Sequence, residues 1–297
     1  MRVLIIGATG LLGRVLMEKW DLDSVTGVGS KHLDICNQSQ LSELFRNVRP
    51  DWTVLAAAYT DVDGSESNSG RAFQVNCLAA ANVAREIARS NSKLLFLSTD
   101  YVFDGTKNSP YETDDAVNPI SVYGRSKAEA EKLIREILPE CCVVRTAWLF
   151  GTTGRCFPNK ILEVAETQRS LRVVRDQVGT PTFNRDLARA IVHLARADAS
   201  GIVHVTNSGP CSWYEFACTV LKVGGYTHVE VEPVRTEDVP RPAPRPRYSV
   251  LSSASANRYH ISMRPWRETL ADYFRERQSL AIASGPILAK AANNKFY

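Results

Sequence analysis

The chain lacks any apolar run long enough to cross a bilayer: its most apolar stretches, "RVLIIGATGLLG" and "DWTVLAAAY", are short, and the first is interrupted by glycine. Its opening residues offer neither a basic n-region nor an Ala-x-Ala cleavage site, so a cytoplasmic location is expected, with no membrane partner. Cysteine is sparse and unpatterned. Seven cysteines at irregular spacing, without a pair of Cys-x-x-Cys motifs, argue against a disulfide framework or a zinc site. Cys141 and Cys142, inside "CCVVRTAWLF", read as small core residues of a strand. An excess of charge is missing too. The net charge is +4 and the basic residues are mostly interleaved with acids, which speaks against nucleic acid as a partner. The exception is "RPAPRPR", residues 241–247, an extended segment suited to a local anionic ligand or to a solvated loop. What is present is 297 residues, 44% hydrophobic and 23% charged, the balance of a globular protein with one large or two modest domains.

The chain alternates between two periods. "RVLIIG" is a β-rich run ending in glycine, a helix-compatible stretch follows from Leu11 to Trp20, and "SVTGVGS" is a second strand. "QLSELFRNVRP" reads as a helix stopped by Pro50, "TVLAAA" as a strand, "GRAFQVNCLAAANVAREIARS" as a long helix and "KLLFLST" as another strand. A helix through "SVYGRSKAEAEKLIREIL" and the strand "CCVVRTAW" complete the series. Such alternation predicts an α/β fold with a doubly wound parallel sheet of Rossmann type, whose ligand sites lie at the carboxyl ends of the strands. Beyond Phe150 the pattern loosens: "SLRVVRDQVGTPTF" reads as strand and loop, "NRDLARAIVHLARA" as a helix returning to the first domain. The expected division is a dinucleotide-binding domain over 1–150, with 184–205 added, and a smaller, discontinuous α/β substrate domain over most of 151–297. The tail from about Leu280 lacks a period and is expected to be poorly ordered or an appended remnant.

"GATGLLG" places Gly7, Gly10 and Gly13 between the first strand and a helix, where glycine permits a sharp turn, close approach of a pyrophosphate and tight helix–sheet packing. The alternative is a tight turn with good packing alone. Thr9, Leu11 and Leu12 complete the expected cofactor-facing turn. An acid closing the second strand would favour NAD, but that point carries Ser30 and Lys31, so NADPH is the expected cofactor, with NADH as a second possibility. Arg14 is a candidate for the extra phosphate or a solvated helix residue. Asp34 and Ile35, in "LDIC", come too late for the ribose and point to the adenine.

Tyr123 and Lys127 stand four positions apart, on one face of their helix. The plain alternative is a surface pair. A free phenol, with pKa near about 10, is a reluctant proton donor, and an adjacent ammonium and nicotinamide would bring it closer to neutrality. The strand end "LSTD" adds Thr99, whose hydroxyl can bind the oxygen that receives the proton. Thr99, Tyr123 and Lys127 together form a set suited to carbonyl reduction.

These residues resemble the extended short-chain dehydrogenase/reductase superfamily. The similarity is closest to its dTDP-4-dehydrorhamnose reductase family, through "GATGLLG", "LDIC", "RPDWTVLAAAYTDVD", "VN" at Val75 and Asn76, "STDYVFDG", "NPISVYGRSK", "VVRTAWLFG", "VRDQVGTPT" and "RPRYSVLS". The resemblance implies reduction of the C4 ketone of a dTDP-linked 4-keto-6-deoxysugar to dTDP-L-rhamnose, with Tyr123 as proton donor, Lys127 on the nicotinamide ribose and Thr99 on the carbonyl. It implies Ala56, Ala57, Ala58 and Tyr59 along the cofactor. On the substrate side it implies Trp148 with Asp100, Tyr101 and Asn118 at the sugar, and Arg245, Tyr248 and Ser249 facing the diphosphate. Some relatives dimerise through magnesium held by glutamates; Val15 and Arg185 occupy two of those positions here, so no metal is expected, and a monomer or weak homodimer is. Dehydratases of the superfamily follow the threonine with Asp-Glu, whereas Tyr101 follows Asp100 here. A reductase or epimerase for another nucleotide-linked 4-keto sugar, and a non-catalytic subunit like the regulatory subunit of methionine adenosyltransferase, remain alternatives.

Overall fold

The short β-branched runs become the strands of a six-stranded parallel sheet in the computed structural model, which describes residues 1–20 and 23–284. In chain order the first half contains β1 (Arg2–Ile6), α1 (Gly13–Lys19), β2 (Ser24–Val28), α2 (Gln38–Val48), β3 (Trp52–Leu55), α3 (Val62–Ser67), α4 (Ser69–Phe73), α5 (Ala79–Ser90), β4 (Lys93–Thr99), α6 (Val122–Ile137) and β5 (Cys142–Thr146). The second half adds β6 (Leu149–Phe150), α7 (Phe157–Ala165), β7 (Ser170–Val174), β8 (Val178–Gly179), β9 (Thr182–Phe183), α8 (Asn184–Arg196), β10 (Gly201–His204), β11 (Cys211–Ser212), α9 (Trp213–Val223), β12 (Glu230–Val234), α10 (Ala254–Asn257) and α11 (Trp266–Ser284).

The central sheet runs β2-β1-β3-β4-β5-β10 with every neighbouring pair parallel. Chain order reverses at β1, so successive crossovers leave in opposite directions and open a crevice beyond the carboxyl ends of β1 and β3. Alternate side chains of each strand feed opposite faces. Val3, Ile5, Val54, Leu95 and Val144 join Leu16 of α1 and Leu187 and Ile191 of α8. Leu4, Ile6, Leu55, Phe96 and Val143 join Phe45 of α2, Ile87 of α5 and Ile134 of α6. Both faces are therefore dry, as a parallel sheet requires. A separate core gathers Phe150, Leu162, Phe183, Phe216, Trp266 and Tyr273 from the smaller elements.

Several expectations shift in detail. The strand expected through Ala58 stops at Leu55 because its ladder partner β1 ends at Ile6. The long helix over 70–90 contains a π-helical turn at Gln74–Leu78, and α3 precedes it unannounced. The edge strand β10 was not anticipated. The tail was expected to lose order from about Leu280, yet α11 runs on to Ser284; the rest of that expectation lies outside the described residues.

One polar network crosses this interior. Arg145 of β5 meets Glu131 of α6 at 2.7 Å, and Ser98 of β4 also donates to Glu131. Both charges are nearly inaccessible, with side-chain exposures of 2% and 6%. Removing one member leaves the other buried and unpaired, so Arg145→Met is expected to lower unfolding free energy by about 3–5 kcal/mol. The double variant Arg145→Met/Glu131→Leu should recover much of that loss in urea titration; additive losses would show that the pair is not coupled.

Candidate active site

The turn after β1 is shaped by what its glycines omit. Gly7 adopts φ +100°, and a Cβ there would lie 2.6 Å from the Ala57 nitrogen; a Cβ on Gly13 would meet the Gly7 carbonyl oxygen at 2.1 Å. The turn therefore presses against α1 and the end of β3. Beyond it opens a cavity of about 510 Å³, lined by Gly7, Thr9, Gly10, Leu11, Leu12, Gly13, Ser30 and Ala56 to Ala58 on one side. Thr99, Asp100, Tyr123, Lys127 and Trp148 line the other.

Local structure explains the second group. Ser121 caps α6 by accepting from the Gly124 nitrogen at 3.1 Å, which starts the helix just before Tyr123. One turn on, Lys127 Nζ donates to the Leu97 carbonyl at 2.6 Å and lies 4.0 Å from the centre of the Phe96 ring. Thr99 ends β4 and caps the next turn, accepting from the Tyr101 nitrogen at 3.2 Å. Trp148 holds a left-handed φ of 45° and stacks on Trp213, ring centroids 3.4 Å apart. A non-glycine residue in that conformation is strained, and strain of this kind gathers at ligand sites.

The remaining expected residues stand outside the cavity lining. Lys31 is exposed beyond Ser30, while Ile35 is buried and the Asp34 carboxylate accepts from the Cys36 nitrogen at 3.0 Å. Tyr59 is held through its backbone by the Asn76 side chain, at 2.7 and 3.1 Å. Tyr101 sits edge-on to Tyr123, with centroids 6.1 Å apart, and burial pushes its hydroxyl up against the opposing pull of the Arg245 guanidinium. Arg245 in turn donates to Asp63 of α3 at 2.8 Å, and Arg241 lies 3.6 Å from the same carboxylate. The basic segment thus meets an acid of its own chain. Asn118 donates to Asp104 at 3.0 Å, and Tyr248 packs beside Val102, Phe103, Tyr111 and Leu251. Ser249 is buried and donates to Asp100 at 2.6 Å. Arg14 folds back onto the Thr9 carbonyl at 3.0 Å, Val15 is buried, and Arg185 bridges Glu18 at 2.9 Å and Glu276 at 2.6 Å.

Burial dominates the electrostatics. It pushes Tyr123 up to about 12, with the neighbouring Thr99 hydroxyl opposing the rise and Asp100 adding to it. Lys127 gives its hydrogen bond to the Leu97 carbonyl, and burial rather than this ammonium dominates the phenol. Burial also drops Lys127 to about 7, a fall that Glu131 limits, and raises Asp100 to about 7 against the donors Ser249 and Thr99.

Sequence reasoning missed Thr60, Leu97, Ser98, Thr146, Ala147, Leu149 and Arg155, all in the lining. Most sit at or just past the ends of β4 and β5, and strand ends were the available signal. The Thr146 hydroxyl is buried without a hydrogen-bond partner. That orphan, with the side-chain-free glycine turn across the cavity, fits a dinucleotide.

A hydroxyl, a phenol and an ammonium converging at the switch point of such a sheet place the protein among the extended short-chain dehydrogenase/reductases, NAD(P)-dependent oxidoreductases. Within that class the chain belongs to the dTDP-4-dehydrorhamnose reductase family: the family model described as RmlD substrate binding domain matches residues 1–279. The spore coat polysaccharide biosynthesis protein SpsK of Bacillus subtilis is 39% identical over 280 residues, covering 94% of this chain and 98% of its own. A dTDP-4-dehydrorhamnose reductase of Mycobacterium tuberculosis is 38% identical, over 91% of each chain. The crystal structure of the Bacillus anthracis dTDP-4-dehydrorhamnose reductase in complex with NADP superposes with a TM-score of 0.90 at 35% identity, covering 93% of this chain and 99% of that one.

The depressed Lys127 makes stability depend on pH. Between about 7 and the ordinary lysine value of 10.5 the unfolded chain holds a proton that the folded chain lacks, so this residue makes stability rise with pH across that window. Lys127→Met removes that contribution. In urea titrations the variant is expected to exceed the parent in stability at pH 6, with the difference shrinking toward pH 10; a difference independent of pH would refute the buried ammonium.

Proposed function

We propose that the protein reduces the C4 ketone of dTDP-4-dehydrorhamnose (dTDP-6-deoxy-L-lyxo-4-hexulose) to give dTDP-L-rhamnose, with NADPH as reductant, the final step in making that sugar donor. The observation that carries the reading is the meeting of Thr99, Tyr123 and Lys127 with the Gly7–Gly13 turn in one cavity. When bound there, NADPH supplies the hydride. The turn residues, Ser30 and Ala56 to Ala58 would hold it, with Lys31 reaching the 2′-phosphate, Asp34 and Ile35 at the adenine, and Tyr59 beside them.

Thr99 orients the ketone oxygen by a hydrogen bond, and Tyr123 donates the proton that oxygen takes up as the carbonyl is reduced. A phenol near 12 suits this direction, because an alkoxide is a far stronger base than a phenolate. Lys127 binds the nicotinamide ribose and restrains the phenol. Trp148 offers an aromatic face to the sugar, with Asp100, Tyr101 and Asn118 near it. Arg245 would exchange Asp63 for the diphosphate, while Tyr248 and Ser249 secure its segment. This assigns the dinucleotide to 1–150 with 184–205 and the sugar nucleotide mainly to the rest. We also take the chain to act without a magnesium bridge, as a monomer or weak homodimer, since Val15 is buried and Arg185 already joins Glu18 and Glu276.

Tyr123→Phe removes only the donor. Steady-state kinetics are expected to show kcat reduced by about 10²- to 10⁴-fold with NADPH affinity little changed, and a fully active variant would end the catalytic assignment. For the cofactor, Lys31→Asp should reverse an NADPH preference in fluorescence titration; a parent that prefers NADH would remove Lys31 from the 2′-phosphate.

A further inference from the structure

The wall of the cavity formed by the glycine turn carries no charge. The lining residues from Gly7 to Gly13 are neutral, Arg14 is folded back onto the Thr9 carbonyl, and Lys31 stands outside the lining. Of the charged side chains that do line the cavity, Asp100 is an acid and Lys127 is bonded to the Leu97 carbonyl. The third is Arg155. It is exposed, and among the described residues no hydrogen bond or ion pair engages its guanidinium.

Its place follows from the segment that carries it. Between β6 and α7 the chain turns through residues 151–156, with Gly154 at a left-handed φ of 78°. Asn159 of α7 donates to the Gly151 carbonyl at 3.2 Å and to the Gly154 carbonyl at 2.9 Å, while Thr152 donates to Glu276 of α11 at 2.8 Å. The backbone is pinned and the Arg155 head is not. The segment starts beside the glycine turn: a Cβ on Gly151 would lie 2.3 Å from Asn184 Nδ2, the nitrogen that donates to the Leu11 carbonyl at 2.9 Å. A single side-chain amide separates the root of this loop from the turn.

We propose that Arg155 binds the pyrophosphate of the reduced dinucleotide, adding charge to a site whose glycine wall offers backbone alone. The proposal rests on the cavity being the dinucleotide site. A guanidinium fork matches two oxygens of a diphosphate and keeps its charge at any working pH. Having no internal partner, Arg155 gives up no ion pair on binding, unlike Arg245, which already holds Asp63. Exposure to solvent limits its effect, because water and salt screen a charge at the rim.

The test is a pair of fluorescence titrations of the full chain, one with NADPH and one with NADH, which share the pyrophosphate and differ at the 2′-phosphate. In Arg155→Met, which removes the charge and keeps much of the stem, Kd should rise on the order of 10-fold for both dinucleotides, and the rise should shrink as salt is added. Arg155→Lys, which keeps the charge and gives up the fork, should fall between that variant and the parent. Binding of dTDP to the NADPH-saturated proteins, measured by calorimetry, should be the same in parent and Arg155→Met. A loss confined to NADPH would move Arg155 to the 2′-phosphate, a loss confined to dTDP would move it to the sugar nucleotide, and unchanged affinities would leave it a solvated rim residue; each overturns the proposal. A parent that binds neither dinucleotide would remove the cofactor reading itself, whereas a parent that binds them, with no loss in Arg155→Met, removes only the role of Arg155.

Discussion

The bond from Lys127 Nζ to the Leu97 carbonyl ties the first turns of α6 to the end of β4. Tyr123 lies one turn before that anchor and Thr99 two residues beyond the carbonyl, so a single donor brings phenol and hydroxyl together. The bond also leaves an ammonium in a dry place, where burial drops it to about 7. A stability-optimised chain would carry an apolar residue there, and a buried lysine lining a cavity is the kind of local conflict expected at a functional site. Behind it, Glu131 with Arg145 and Ser98 continues the polar line into the interior, so the cost of one buried charge is shared by a network.

A second dependence runs between distant parts of the chain. The segment around 241–251 returns to the dinucleotide-binding half, where Arg245 meets Asp63, Ser249 meets Asp100 and Leu251 bridges to Tyr111. The Asp100 carboxyl is thereby held from two sides, by its neighbour Thr99 and by a serine 149 positions later. Trp148 is treated similarly, kept in a left-handed conformation and stacked against Trp213 of α9. The cavity lining itself comes from residues between Gly7 and Arg155, while later segments brace its Asp100 and Trp148.

Much of this architecture was legible because it rests on local pattern. Strand β4 coincides with "KLLFLST", and α6 starts where Ser121 can cap it. The glycine turn was recognisable because steric exclusion acts on immediate neighbours. The π-helical turn at Gln74–Leu78 left no trace, since it preserves the apolar stripe while inserting one extra residue's twist; there Asn76 is turned toward the Tyr59 backbone. Strand β10 was too short for alternation to register and owes its place to the neighbouring β5.

The sequence by itself determined the alternating parallel sheet, the position of the dinucleotide turn and the pairing of Tyr123 with Lys127, because each follows from periods and steric demands acting over a few residues. Only the tertiary structure decided the partners of the charged and polar groups. Arg245 faces Asp63, Ser249 supports Asp100 from within the core, and Lys127 binds a backbone carbonyl while the phenol beside it stays near 12. Hydrogen bonds and desolvation depend on which atoms arrive at the same place, and residues far apart along the chain are brought there by packing that no local period encodes.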